Sequence, residues 1–512
     1  GAFTASALNM RMRSFPPAVL TPRALTVLCL CLGPKLCVAA AGSRFRGGNP
    51  EVSDRTVTAE AIQLSLRASL DAVMGGGDGA AAQQLSRIEA SMWPTFQALP
   101  KNSLGRLVPR AVRYSVHNYF AKEHGWLLKG LEPHGMQLNT TEMHGVNILQ
   151  DKAPALVEAL LEAKRADHGL SFEDVVAMAA VLERLIFDES IALLESAYKL
   201  NGFSMTENVD EGSLHEVLRS YLLVFQIGMR ANHSDMRKHQ AIKAKMAKTS
   251  SWTTVVEFEQ DAVLNFGFRH REKINPFAEP QFSFTAASQI VEDLASAYGK
   301  WQNMECRQMK EELKSLDPDG AGLVPLKAFY SQPETADYQF TESTDYLRKV
   351  GALDETGNTP RVRIANYLLG PSNCIASSSY YSICCLSDCE HLLNAIEGEV
   401  RAPAASPERL IGVVRNLTAI HGDAVRQLPQ SLEEKLHAVG KRHGGEVPLH
   451  GRLFAQWMHL VFPSECPYPH IVEDTVVLTP GHWVASNTAI APAEDRQQHA
   501  AVEEAEATAA IS

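Results

Sequence analysis

Two stretches of the chain share one pattern: MKEELKSLDPDGAGLVPLKA over residues 309–328 and YLRKVGALDETGNTPRVRI over residues 346–364. In each, apolar residues stand eight, four and one positions before an aspartate, Asp317 in the first and Asp354 in the second. This spacing predicts a helix that ends where a polar loop begins. The aspartates are 37 positions apart. That separation is typical of paired EF-hands, helix–loop–helix units whose 12-residue loops bind calcium.

The first loop keeps only part of the calcium ligand set. With Asp317 at position 1, Asp319 is at position 3, Gly322 is at position 6, where the chain turns sharply, and Leu323 at position 7 offers a carbonyl oxygen. Ala328 stands at position 12, where a glutamate normally binds calcium through both oxygens.

The second loop offers Asp354, Glu355 and Asn358 as oxygen donors. Val324 of the first loop is placed to pair with its sister loop, but Val362 comes one residue later than a 12-residue loop would put it. We therefore expect the second loop to be distorted. Two or three donors per loop do not fill the six to eight positions that calcium prefers.

These ligand sets favour a degenerate EF-hand-like pair that is retained for packing and binds no calcium. Weak calcium binding, with a Kd of about 10⁻⁴–10⁻³ M, stays open as the alternative. No other cofactor is expected.

The composition is that of a folded globular protein, with 45% hydrophobic and 21% charged residues among 512. This length allows two to four domains. The formal net charge of −11 argues against broad nucleic-acid binding, which needs a basic surface.

The first 41 residues predict a secretory signal peptide preceded by upstream residues. Three arginines, Arg11, Arg13 and Arg23, precede the apolar run Ala24–Leu32, and Ala39 to Ala41 provide small residues for cleavage. A buried N-terminal helix is the alternative. No later segment is long and apolar enough to span a membrane. We expect a secreted or luminal protein.

The cysteines agree with this route. Six remain after residues 1–41 are removed: Cys306, Cys374, Cys384, Cys385, Cys389 and Cys466. An even number in a secreted chain predicts three disulfides, with 15 connectivities open. Cys384 and Cys385 are adjacent, so we expect them to bond to different partners. Three sequons mark candidate glycosylation sites: Asn139, Asn232 and Asn416.

The helical patterns predict a mainly α fold. The predicted regions are a linker and short helix (42–80), a helical domain (81–300), the EF-hand-like pair (301–372), a disulfide-linked, Cys-rich helical C-terminal region (373–489) and a disordered tail (490–512). Capping-box patterns at residues 171–174 and 213–216 predict two helix starts. Residues 193–225 form either a helical hairpin or a third, more degenerate helix–loop–helix unit.

Histidines are frequent in the C-terminal third: His437, His443, His450, His459, His470 and His482. Cys466 and His470 resemble half of a zinc site, but no second ligand pair stands at a standard spacing. A luminal metal-dependent enzyme that uses this third is the alternative to our leading hypothesis. That hypothesis is a non-catalytic binding or structural protein with an unidentified protein partner.

Several stretches carry a resemblance to a known family. They are Arg113-Tyr114, His124-Gly125-Trp126, residues 130–133, 304–306, 346–347, 351–355, 372–374, 381–385 and 389–390, Pro448 to His459 and Glu465 to His470. Over roughly residues 105–470 the chain resembles uncharacterised secretory-pathway proteins of dinoflagellate algae and diatoms. The resemblance implies a common fold, and no catalytic residues are carried over from it. Phe45 after the predicted cleavage site also suggests plastid import as an alternative destination.

Overall fold

The structure is a computed structural model. It describes residues 79–129, 131, 169–227, 235–270, 280–332, 338–357, 359–375, 378, 380–420, 428–470, 490–492 and 496. These residues form 14 α-helices and nine short strands, which confirms the mainly α prediction. None of the described helices combines the length and apolar character needed to cross a bilayer. Several predictions lie outside the described residues: the signal peptide, residues 42–78, Asn139, Asn232, Asn358 and His482.

The N-terminal part is built from seven helices and three strands. They are α1 (Gly79–Ala98), α2 (Pro109–His124), β1 (Trp126–Leu128), α3 (Phe172–Asn201), β2 (Val209–Asp210), α4 (Glu211–Ile227), α5 (Met236–Met246), α6 (Ser250–Arg269), β3 (Gln281–Phe282) and α7 (Phe284–Ser315). Apolar faces of α1 to α4, α6 and α7 enclose the largest core, together with β1 and β7 (Tyr381–Ile383). Trp126, Tyr198 and Phe225 are among its fully buried side chains.

The ends of two helices test the predicted caps. α3 begins with the predicted capping box, in which the Ser171 hydroxyl accepts from the Asp174 N–H and the Asp174 carboxylate accepts from the Ser171 N–H. The second predicted box is wrong. α4 begins at Glu211, because the Asp210 carboxylate accepts from the Ser213 N–H at 2.7 Å and so caps the helix earlier.

The region predicted as an EF-hand-like pair forms two helix–loop–helix units. After α7 come β4 (Leu323–Pro325), α8 (Leu326–Tyr330), α9 (Thr344–Lys349), β5 (Leu353–Asp354), β6 (Arg361–Arg363) and α10 (Ile364–Leu368). β4 and β6 pair in antiparallel fashion with Val324 opposite Val362, which are the two valines expected to join the loops. β5 also pairs with β6, so the second loop is a small hairpin.

A second pair of the same design lies earlier in the chain. The units α3–β2–α4 and α6–β3–α7 meet through β2 and β3, with Val209 opposite Phe282. Residues 193–225 thus form one helix–loop–helix unit of a pair whose other unit the sequence did not indicate. α7 ends the first pair and begins the second, so the predicted boundary between residues 300 and 301 falls inside a continuous helix.

One close contact fixes α7 against the end of α2. Gly299 of α7 faces the chain at His124 and Gly125, where a Cβ on Gly299 would fall inside contact distance of the His124 carbonyl oxygen and 3.1 Å from the Gly125 Cα. Gly125 ends α2 with a positive φ of 68°. Only glycine at position 299 allows the two backbones to approach this closely.

The C-terminal region is also helical. Its elements after β7 are α11 (Asp388–Val400), β8 (Ala404–Ala405), α12 (Pro407–Ile420), α13 (Gln430–Arg442), β9 (Val447–Pro448) and α14 (Arg452–Val461). β7 pairs with β1 and thereby joins this region to the N-terminal part. Phe454, Trp457 and Met458 of α14 lie in a separate core of this region.

All six predicted cysteines form disulfides: Cys306–Cys385, Cys374–Cys384 and Cys389–Cys466. The adjacent Cys384 and Cys385 bond to different partners, as expected. Two of the bonds close long loops, with sequence separations of 79 and 77. They tie α7 to the chain before α11, and α11 to the chain after α14.

Two described residues near the C-terminus are in contact with the chain before α9. Ile490 forms an antiparallel bridge with Glu342, and the Ala491 N–H donates to the Thr341 carbonyl at 2.8 Å. Ala491 is buried. The start of the segment predicted as a disordered tail therefore packs against the residues just before α9.

Candidate functional site in the paired loops

In the first loop, backbone N–H groups donate hydrogen bonds to the carboxylate at position 1, that of Asp317. The Gly322 N–H donates to Asp317 Oδ2 at 2.6 Å, and the Asp319 N–H donates to Asp317 Oδ1 at 3.3 Å. Gly322 has the positive φ of 72° that this turn needs. Asp317 is buried, whereas Asp319 is exposed and Leu323 lies in β4 opposite Arg363. The structure thus places the Asp317 carboxylate under the turn, Asp319 at the surface and Leu323 in the paired strand.

In the second loop, the carboxylate at position 1 is that of Asp354, and arginine side chains bind it. Arg363 Nη2 lies 2.8 Å from Asp354 Oδ1, and Arg361 Nη2 lies 3.6 Å from Asp354 Oδ2. Arg363 Nη1 also donates to the Leu353 carbonyl at 2.8 Å. The guanidinium therefore binds a carboxylate and a backbone carbonyl, the oxygen types that calcium would need.

The charge state of Asp354 follows from these contacts. Burial alone would raise the pKa of its carboxyl. The hydrogen bond from the Thr356 hydroxyl and the charges of Arg363 and Arg361 outweigh burial and hold the pKa below its usual value. Asp354 is therefore an anion at neutral pH, paired with a cation that does not lose its proton.

Glu355, the other described donor of the second loop, does not join Asp354. Its carboxylate accepts from Arg348 Nη2 at 2.8 Å and from Arg348 Nε at 3.1 Å. Across the described residues no group of three or more His, Cys, Asp or Glu side chains is arranged to hold a metal ion.

The predicted zinc pair is not formed. Cys466 is bonded to Cys389, so it has no thiolate to offer, and the His470 ring donates from Nε2 to the Lys349 carbonyl at 3.0 Å. Other histidines of the C-terminal third have separate partners. His450 lies 3.1 Å from Glu397, His437 lies 3.5 Å from Glu408, and His459 bonds to the Cys466 carbonyl.

A buried polar relay lies away from the predicted sites. His124 Nε2 is 2.6 Å from Glu183 Oε1, which also accepts from the Tyr119 hydroxyl at 2.9 Å. The Ser296 hydroxyl is 3.2 Å from His124 Nδ1. Ser296, His124 and Glu183 follow the order of the nucleophile, base and acid in a catalytic triad. Ser296, however, lies within α7, where the backbone N–H groups are used by the hydrogen bonds of the helix and cannot stabilise an oxyanion. We interpret the relay as a buried hydrogen-bonded cluster that joins α2, α3 and α7.

Sequence reasoning missed Arg363. The signal was present, since residues 361–363 read Arg-Val-Arg at the end of a loop that opens with an aspartate. An arginine at this position is not a calcium ligand, because a guanidinium offers no oxygen atom. Asn416, the described glycosylation candidate, is exposed on α12.

Neither the family models, nor the curated proteins, nor the solved structures contain a match to this chain.

Proposed function

We propose that this chain is a non-catalytic binding or structural protein of the secretory pathway, built on two pairs of degenerate EF-hand-like units whose loops do not depend on calcium. The observation that carries the proposal is the Arg363 guanidinium bound to Asp354. A permanent cation at that position repels a divalent ion and supplies the charge that the ion would otherwise provide.

Three disulfides support the secretory route, because such bonds persist in oxidising compartments. Several stretches that resemble the algal and diatom proteins also meet in the structure. Trp126 and Ile383 are opposite each other in paired strands, and the Tyr114 and His450 rings lie 4.7 Å apart. This convergence supports the proposal that the resemblance reflects a shared fold.

Calcium should leave the stability of the full chain unchanged. A site with a Kd of about 10⁻⁴ M would stabilise the folded state by about 2.7 kcal/mol at 10 mM calcium. We expect equal melting temperatures in 10 mM calcium, in 10 mM magnesium and in chelator, and no heat of calcium binding in titration calorimetry. A calcium-specific rise in melting temperature with matching heat would replace this proposal by the weak-binding alternative.

Arg363→Ala should destabilise the chain by about 2 kcal/mol, because it leaves the buried Asp354 carboxylate with the hydrogen bonds of Thr356 and only the more distant Arg361 as a cationic partner. The matched control is Arg348→Ala, which removes two exposed ion pairs, with Asp345 and Glu355, and should cost less than about 1 kcal/mol. Urea unfolding at pH 7 measures both.

The same variants carry a pH signature. The folded-state pKa of Asp354 is lowered, so the stability from its pairing is fully present above the unfolded value of about 3.9 and is lost as pH falls through the folded pKa. The difference between the native chain and Arg363→Ala should therefore shrink at pH 3. A difference that stays constant from pH 7 to pH 3 would show that the guanidinium acts only through packing.

A further inference from the structure

The segment Pro463–His470, with sequence PSECPYPH, crosses one face of the second helix–loop–helix pair. We call the face that the segment covers the loop face, and we define it by Gly322, Gly351, Arg363 and Asn366. A Cβ on Gly322 would lie 2.5 Å from the Pro463 carbonyl oxygen, and a Cβ on Gly351 would lie 2.5 Å from the His470 ring. The segment therefore lies directly on the backbone at both glycines.

The contacts of Asn366 are directed at the backbone of the segment. Its Nδ2 donates to the Tyr468 carbonyl at 3.0 Å, and its Oδ1 accepts from the Tyr468 N–H at 2.8 Å. One side-chain amide thus binds both polar groups of a single residue, as a neighbouring β-strand would. This kind of contact holds an extended chain and is independent of the side chain that the chain carries.

Side-chain selectivity comes from Arg363, from the prolines and from α14, where Gln456 Nε2 donates to the Tyr468 hydroxyl at 3.2 Å and the His459 ring lies 5.5 Å from the Tyr468 ring. The Arg363 guanidinium lies 5.1 Å from the centre of the Tyr468 ring, a cation–π distance. Pro467 and Pro469 flank this tyrosine, and proline disfavours helical backbone in itself and in the residue before it. Pro-Tyr-Pro is therefore extended before it binds and loses little entropy on docking.

The docked residues are held at the surface and are not built into a core. Pro467 to His470 are all half-buried, and of residues 463–470 only Cys466 lies in a hydrophobic core. The Cys389–Cys466 bond anchors the segment one residue before the Pro-Tyr-Pro sequence. The segment thus has the form of a tethered ligand on a recognition surface.

We propose that the loop face is a binding surface for an extended peptide that carries a tyrosine between two prolines, and that residues 467–470 occupy it in this chain. The inference rests on the binding role proposed above and names its class of partner. It does not depend on calcium, so the calcium titration and the peptide test fail independently.

The test uses the full chain with the residues that occupy the loop face replaced by glycine. In the opened variant, Pro467→Gly, Tyr468→Gly, Pro469→Gly and His470→Gly are combined and the disulfides are kept. The probe is a fluorescent peptide of residues 465–470 with serine in place of Cys466, and fluorescence anisotropy measures its binding. We expect saturable binding to the opened variant and none to the native chain, whose own segment competes at a high effective concentration.

Two changes locate the surface. Asn366→Ala in the opened variant should weaken the peptide at least about tenfold, because two hydrogen bonds are lost. A probe with alanine at the tyrosine should bind roughly threefold to fivefold more weakly. No binding to a folded opened variant at 2 mM peptide, equal binding to the native chain, or no effect of Asn366→Ala would each overturn the proposal.

Hydrogen exchange tests the same contact in case the opened variant does not fold. In the otherwise native chain, Asn366→Ala should speed exchange of the Tyr468 amide at least about tenfold and leave the Met458 amide within α14 unchanged. An unchanged rate at Tyr468 would show that Asn366 does not hold the segment.

Discussion

Removal of the Cys306–Cys385 disulfide by Cys306→Ala and Cys385→Ala is expected to lower the free energy of unfolding by about 4 kcal/mol. The bond closes a loop with a sequence separation of 79, so its loss returns a large conformational entropy to the unfolded chain. Both cysteines are buried in the core of the second helix–loop–helix pair, and alanine adds no polar group there. Denaturant unfolding without reductant measures the loss.

The chain provides a matched control for this result. Cys374→Ala with Cys384→Ala removes a bond with a sequence separation of 10, for which the same relation gives about 3 kcal/mol. Mass spectrometry of the intact proteins confirms that the remaining bonds form. If the short-loop variant is destabilised more than the long-loop variant, local packing around Cys374 contributes more to stability than loop closure does.

Gly299→Ala is expected to destabilise the chain by about 3 kcal/mol. The new methyl group would overlap the His124 carbonyl oxygen, so α7 and the end of α2 would have to separate. The contacts at risk include the Ser296–His124 hydrogen bond, which joins the same two elements. Alanine favours the helix by about 1 kcal/mol relative to glycine, but this gain does not offset the clash.

Gly267→Ala in α6 is the control that separates the steric clash from the gain in helix propensity. Gly267 is also within a helix, and apart from the neighbouring backbone of that helix no atom lies within 4 Å of the position a Cβ would take. This variant should gain about 0.5–1 kcal/mol from helix propensity alone. Thermal unfolding should therefore show shifts of opposite sign for the two alanines. Two upward shifts would mean that the backbones at Gly299 are not in close contact.

Local sequence patterns predicted the parts of the fold that depend on near neighbours. The Ser171–Asp174 cap forms, Val324 and Val362 join the two loops, and adjacent cysteines bond to different partners. The predicted start of α4 was wrong because serine and aspartate are both favoured N-cap residues. The backbone conformation decides that Asp210, and not Ser213, caps the helix.

Features that depend on distant residues could not be read in this way. β2 and β3 are separated by more than 70 positions and are only two residues long each, so no local pattern marks them as partners. The role of Arg363 is visible only in three dimensions. Its side chain has no oxygen to bind calcium, and the sequence alone does not show that it contacts Asp354. The contacts of Tyr468 with Asn366 likewise join positions about 100 residues apart.

The shared helix α7 has a mechanical consequence. Its 32 residues extend about 48 Å at 1.5 Å per residue, and its buried residues belong to two cores, with Ile290 in the first and Leu313 in the second. Because this helix is continuous, a force applied at the loop face is transmitted through it to the N-terminal units. The two halves of the protein should consequently tumble as one rigid body.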